Sequence, residues 1–252
     1  DEFLTKPFLK EELLLRVDNM LKIKGYQNTL EEMVSKRTSE LADALSSIRG
    51  LNKEILSRLL VAAEYRDDDT GNHIVRVGKY SEIVADCLLL EPKFRELIGA
   101  AAPMHDIGKI AIPDSILLKP GRLTPHEHEL MKTHTTIGAS ILKESKFPMM
   151  VMACEIALNH HERWDGHGYP GGLCAEQIPL TGRIVAIADV FDALTSRRPY
   201  KEPFSWERSM DIIMSERGKT FDPCVVDSFA KGIERLRAVY DEYNKPSQEK
   251  KF

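Results

Sequence analysis

The chain has 252 residues, 42% of them hydrophobic and 29% charged, which suffices for one substantial core plus a smaller module and argues against wholesale disorder. A formal charge of −4, with both signs interspersed, leaves no basic footprint for a large nucleic acid. No stretch reaches the roughly 18 to 20 apolar residues of a membrane span, and Cys87, Cys154, Cys174 and Cys224 have no paired spacing, so they read as reduced thiols of a cytoplasmic protein.

Residues 1–26, DEFLTKPFLKEELLLRVDNMLKIKGY, begin with a short strand-like lead, step through Lys6-Pro7 and continue as an amphipathic helix. This order resembles the end of a response-regulator receiver domain, in which a lysine before a proline contacts the phosphorylated aspartate. The piece is expected to be a receiver remnant that cannot itself accept a phosphate. The plainer alternative is a helix with a frayed start. From 27 to 62 the text becomes a long polar helix in which Val34, Leu41, Ile48 and Ile55 recur every seven residues, with Ala44 and Leu51 between them. That is the a/d stripe of a coiled coil, weakened by Arg37 at a d position and by Gly50. A parallel homodimeric signalling linker is expected.

Residues 63–245 read as helices separated by Gly/Pro punctuation, with no run of alternating strands, so this region is expected to be all-α. Helical periodicity is clear in IVRVGKYSEIVADCLLL, FRELIGAAAPMHDIGKI, IGASILKESKFPMMVMACEIAL, TGRIVAIADVFDALTS and VVDSFAKGIERLRAVY. Pro103 lies just before His105 and is a candidate kink. Residues 246–252 form a polar tail.

Metal-ligating residue types occur at five places in these helices: His73, His105 with Asp106, His134, His160 with His161, and Asp189. Imidazoles with carboxylates suit Fe, Mn, Zn or Ni, and the absence of paired cysteines disfavours a thiolate zinc site. Seven side chains exceed the needs of one ion. Neighbouring helical residues diverge by about 100°, so each adjacent pair would straddle two ions more easily than chelate one. Asp106 is the natural bridge, and two bridged ions suit in-line hydrolysis of a phosphate ester.

The series His73, His105, Asp106 and Asp189 resembles the HD superfamily of metal-dependent phosphohydrolases. Three longer blocks, HDIGKIAIPDSILLKPGRL, HHERWDGHGYPGGL and ADVFDALTSRRPYK, resemble its HD-GYP branch over about residues 66–223. The resemblance implies an HD-type helical bundle behind the coiled-coil linker. It also implies hydrolysis of cyclic di-GMP to pGpG or GMP at a di- or tri-metal centre that is often iron, with Mn, Ni or Zn as alternatives. By the same resemblance His73, His105, Asp106, His134, His160, His161 and Asp189 are metal ligands. Asp69, four residues before His73, stands where some members place a glutamate for a third ion; its shorter arm leaves two ions as the firmer expectation, and a helix-cap role is the plainer alternative.

Lys109 matches the family lysine that assists the phosphate or leaving group, and Arg198 and Lys201 match residues that hold phosphate oxygens, with Arg197 as the competitor of Arg198. Asp67 matches an acidic residue of the family block and is expected to orient Lys109 or a water. Tyr169 either meets a guanine or phosphate or packs beneath its glycine-rich loop. Ala175 departs from the family pattern, where a glycine is common. His126, His128 and His167 fall outside the ligand series and are expected to face solvent or the site entrance. The segment KPGRLTPHEHE is a candidate lid. A diguanylate cyclase of the GGDEF type is a possible protein partner, and two alternatives stay open: a nucleotide receptor with weak catalysis, or a phosphodiesterase for another cyclic dinucleotide such as cyclic GMP-AMP.

Overall fold

The computed structural model describes residues 9–64, 71–196 and 203–243. Lys6, Pro7, Asp67, Asp69, Arg197, Arg198 and Lys201 lie outside the described residues. Two compact units divide the chain, residues 1–57 and 58–252.

Helix α1 runs without interruption over Lys10–Glu64, straight through the boundary that composition places at residue 26. Local pairs support it, including Arg16 with Glu12, Lys22 with Asp18 and Arg37 with Glu40. Within the first unit its stripe is bare: Val34, Leu41, Ile48, Leu51 and Ile55 are all exposed. Exposed local pairs contribute only a few tenths of a kcal/mol each, so such a helix gains little from its own unit.

The second unit is helical, as expected, and among the described residues the only sheet-like pairings are two isolated bridges, Asp165 with Cys174 and Arg217 with Phe221. Its helices are α2 (Asn72–Cys87), α3 (Pro92–Ala101), α4 (Asp114–Leu117), α5 (Pro125–Leu142), α6 (Pro148–Asn159), α7 (Leu180–Thr195), α8 (Trp206–Ser215), α9 (Pro223–Lys231) and α10 (Ile233–Tyr243). Prolines open α3, α5, α6 and α9 at the first helical position, where the missing N–H costs nothing. Two of the periodic runs prove to be pairs of helices. The first breaks where Glu144 adopts a left-handed φ of 66° ahead of Pro148, and the second breaks at Gly232, between α9 and α10.

Helix α7 is the central element, with Ile184, Val185, Ile187, Ala188 and Phe191 buried. Phe191 meets Tyr80, Trp206 and Phe229 edge to face, with ring centroids 5.6, 5.1 and 5.0 Å away. Around it pack α2, α6 and α8, so α7 carries both the aromatic core and the acidic residues discussed below.

The HD pair corrects a sequence expectation. Helix α3 ends at Ala101, a 3-10 turn covers Ala102–Met104, and a second covers Ile107–Ala111. His105 and Asp106 therefore sit in a turn rather than on a helix, and the 100° argument does not apply to them. Pro103, which has no amide to donate, lies in the tightened segment that ends the α-helix. The turn lies flat on α5: a Cβ on Gly108 would fall 1.9 Å from the carbonyl oxygen of His134, so only glycine fits.

Of the proposed lid, only the residues before Pro125 are loop. Thr124 caps α5, accepting from the Glu127 amide while the Glu127 carboxylate accepts from the Thr124 amide and from Lys119. The Lys119 bond and the Thr124 amide hold the Glu127 carboxyl down to about 2. Its charge should thus persist as pH falls below the ordinary value of 4.5 and be lost only near pH 2. Carboxyl-carbon NMR titration of Glu127 checks this; a midpoint near 4.5 would refute the pairing.

Candidate metal centre

Five elements converge on one buried pocket. Helix α2 supplies His73 from its first turn, the turn after α3 supplies His105, Asp106 and Lys109, and α5 supplies His134. His160 caps the C-terminal end of α6, His161 follows it, and α7 supplies Asp189. Two groups of ligand atoms form, each with all its atoms within 4.8 Å of one another: Asp106, His134, His160 and His161 in one, His73, His105 and Asp106 in the other. Asp106 belongs to both. Asp189 Oδ1 joins the second group, 3.6 Å from His73 Nε2 and 3.7 Å from His105 Nε2.

The orientation of the rings is fixed from behind. Nδ1 of His105 donates to the Ala102 carbonyl at 2.9 Å, Nδ1 of His134 to Met131 at 2.7 Å, and Nδ1 of His160 to Ile156 at 3.1 Å. A carbonyl can only accept, so each ring's proton sits on Nδ1 and, in the neutral form, Nε2 presents a lone pair. His134 Nε2 and His160 Nε2 then stand 3.2 and 3.5 Å from Asp106 Oδ1. These three atoms are buried without a hydrogen bond. Burial pushes the His160 and His161 rings down, the latter well below its ordinary value, which favours their neutral forms. Lone pairs facing a carboxylate at this distance call for a cation between them, so the residues fit a metal.

Burial alone would raise the Asp106 carboxyl, but the Lys109 ammonium, with Nζ 2.8 Å from Oδ2, and the His105 ring hold it well below the usual carboxylate range. Asp106 is therefore ionised, as a ligand must be.

The glycine-rich loop folds back over the histidine pair. The Tyr169 amide donates to the His161 carbonyl at 3.2 Å, and the phenol ring lies on the His161 ring, centroids 4.8 Å apart and tilted 31°. Burial raises the phenol above its ordinary value, so it stays protonated. A Cβ on Gly168 would strike the Arg163 nitrogen at 2.3 Å, so this crossing requires glycine. Ala175, at the departure from the family pattern, sits at a left-handed φ of 50°, a conformation that suits the glycine common there. His126, His128 and His167 are exposed, as expected.

The HD domain model matches residues 28–225. This chain belongs to the HD domain family. The chain is 41% identical over 246 residues to the cyclic di-GMP phosphodiesterase response regulator RpfG of Xanthomonas campestris, covering 98% of this chain and 65% of that protein. It is 44% identical over 247 residues to a cyclic di-GMP phosphodiesterase of Thermotoga maritima, covering 95% and 67%. It thus spans about two thirds of the length of these relatives. A solved cyclic GMP-AMP specific phosphodiesterase of Vibrio cholerae, V-cGAP3, shares the helical fold at 21% identity and a TM-score of 0.54, covering 77% of this chain and 54% of that one.

Three residues of this HD domain escape a reading by motif. Glu162 is buried behind the histidine pair, and its carboxylate accepts from the amides of Gly171 at 2.6 Å and Leu173 at 3.0 Å, tying the loop to the end of α6. Asp192 and Arg76 are buried together behind His73. The sequence signal for Glu162 is faint: an acid that directly precedes a glycine-rich loop has exposed amides within reach. For Asp192, its three-residue spacing from Asp189 on an otherwise apolar helix puts both acids on one side.

Replacing Glu162 with glutamine removes one acceptor and sets an amide group against a donor. Hydrogen bonds to a charged group contribute about 1.5–3 kcal/mol, so exchange protection of the Gly171 and Leu173 amides should fall about ten- to hundredfold. Hydrogen–deuterium exchange reads this directly, and unchanged protection would reject the clamp.

Proposed function

We propose that this chain is the catalytic portion of a metal-dependent phosphodiesterase that hydrolyses cyclic di-GMP to pGpG or GMP, as the output of a response regulator. One observation carries the reading: Asp106 is common to two ligand groups, as a carboxylate between two ions must be. The relatives at 41% and 44% identity support the substrate. Two ions, with iron favoured over Mn, Ni or Zn, would be held by His73, His105 and Asp189 on one side and His134, His160 and His161 on the other. When bound, such ions supply Lewis acidity toward a phosphate oxygen and make water nucleophilic near neutral pH.

The chain's own groups perform the remaining tasks. Lys109, held against Asp106 at 2.8 Å, carries a proton on Nζ that it delivers to the leaving ribose oxygen. Arg198 and Lys201 hold the nonbridging phosphate oxygens, the guanidinium by paired hydrogen bonds. Tyr169 forms a wall of the pocket through its ring on His161 and offers its hydroxyl to the substrate. Asp67 orients Lys109, and Asp69 would be the added ligand were a third ion bound.

Upstream, residues 1–26 are the end of a receiver and α1 pairs with α1 of a second copy in parallel. The exposed seven-residue stripe Val34, Leu41, Ile48 and Ile55 supports this pairing. A GGDEF-type diguanylate cyclase is a further candidate partner, since synthesis and hydrolysis of one messenger are opposed reactions. The protein acts in the cytoplasm.

Anaerobic reconstitution with Fe, Mn, Ni or Zn, followed by chromatography of products from cyclic di-GMP and cyclic GMP-AMP, tests the activity. Release of pGpG or GMP from cyclic di-GMP is expected; cleavage of cyclic GMP-AMP alone would reassign the substrate, and no release with any metal would point to a receptor. Alanine at His105 and Asp106 together should abolish metal uptake and turnover in parallel, and hydrolysis at the wild-type rate would sink the assignment. Sedimentation equilibrium at micromolar concentration should return a dimer, whereas a monomer would remove the coiled-coil linker.

A further inference from the structure

His73 is supported differently from the other rings. His105, His134 and His160 each give Nδ1–H to a backbone carbonyl, whereas His73 gives it to a carboxylate, Asp192 Oδ2, at 2.7 Å. Asp192 is itself locked. Arg76 donates to Oδ1 from Nε at 2.5 Å and to Oδ2 from a terminal nitrogen at 2.8 Å, and Ser196 Oγ donates to Oδ2 at 3.2 Å. Arg76 also donates to Ser196 Oγ at 2.7 Å, closing the network. His73, Arg76 and Asp192 are all buried.

One helix thus presents a carboxylate to each edge of the same imidazole. Asp189 faces Nε2 at 3.6 Å and Asp192, three residues later, holds Nδ1. We infer that Asp192 is a positioning residue that sets metal affinity on the His73 side of the centre, leaving the His134, His160 and His161 side unaffected. The inference rests on the two-ion reading above. The physical ground is direct: a charged acceptor fixes the tautomer and ring angle more firmly than a neutral carbonyl and makes Nε2 a stronger donor to a cation. Arg76 keeps the carboxylate ionised and its oxygens aimed, so the support does not depend on the ion being present.

The test is metal retention by the full chain, read without turnover. The chain is loaded with Mn or Zn, challenged with graded chelator and assayed for bound ions per chain, alongside Asp192→Asn. Wild type should hold two ions; the variant should hold one as tightly as wild type and the other roughly 10- to 100-fold more weakly, the loss usual for an outer partner of a ligand histidine. Because Asn leaves the Arg76 charge buried without its counter-ion, Arg76→Met with Asp192→Leu provides a neutral pair should the single variant not fold, and the same one-sided loss is expected. Two ions held with wild-type affinity, or both weakened equally, would overturn the inference while leaving the two-ion reading intact. A wild-type chain that takes up one ion overturns that reading, and the inference with it.

Discussion

The structure depends on one buried charge. Asp106 is 7% exposed, ionised, and faces the Nε2 atoms of His105, His134 and His160. A carboxylate taken out of water costs several kcal/mol unless compensated, and Lys109 alone meets only one of its oxygens. The surrounding architecture prepares the place of a compensating cation. Elements distant in sequence each turn an imidazole lone pair toward Asp106, and the His105, His134 and His160 rings are each aimed by a hydrogen bond on the far side. The pocket is thus assembled by tertiary packing, and no two neighbouring residues could build it.

The consequence for chemistry is a division of labour between rigid and adjustable parts. The ligand rings and Asp106 are held by backbone carbonyls, buried side chains and close helix contacts. The glycine-rich loop is instead held by amide bonds to Glu162 and by the ring of Tyr169 on His161. Preorganised ligand atoms are what the proposed hydrolysis at a fixed centre requires.

Much of this was legible in the sequence because histidines and aspartates at five places, three of them within ordered blocks, carry their chemistry in their identity. The seven ligand candidates meet in one pocket, and the all-α class follows from periodicity and proline placement. Other features were hidden for physical reasons. The HD pair reads as helical by composition, yet it occupies a turn, because hydrophobic period does not register where Pro103 tightens the chain into 3-10 geometry. The runs through Glu144 and Gly232 keep helical period across breaks that depend on local φ and capping. Asp192, Arg76 and Glu162 look like ordinary charged residues in one dimension; only burial and distance reveal them as supports. Asp67, Asp69, Arg198 and Lys201 keep the standing that the motif alone confers.

The contact of Gly108 with α5 has a further consequence for how the centre could change. Contacts made by side chains can be retuned by swapping rotamers or trimming a methyl, but this one is backbone against backbone, at the carbonyl of His134 itself. The interval between Asp106 and His134 is therefore closed to gradual adjustment through that interface. Adjustment of that interval has to come from the chemical character of the ligand side chains rather than from their spacing. In that sense the interval between Asp106 and His134 works as a fixed jaw.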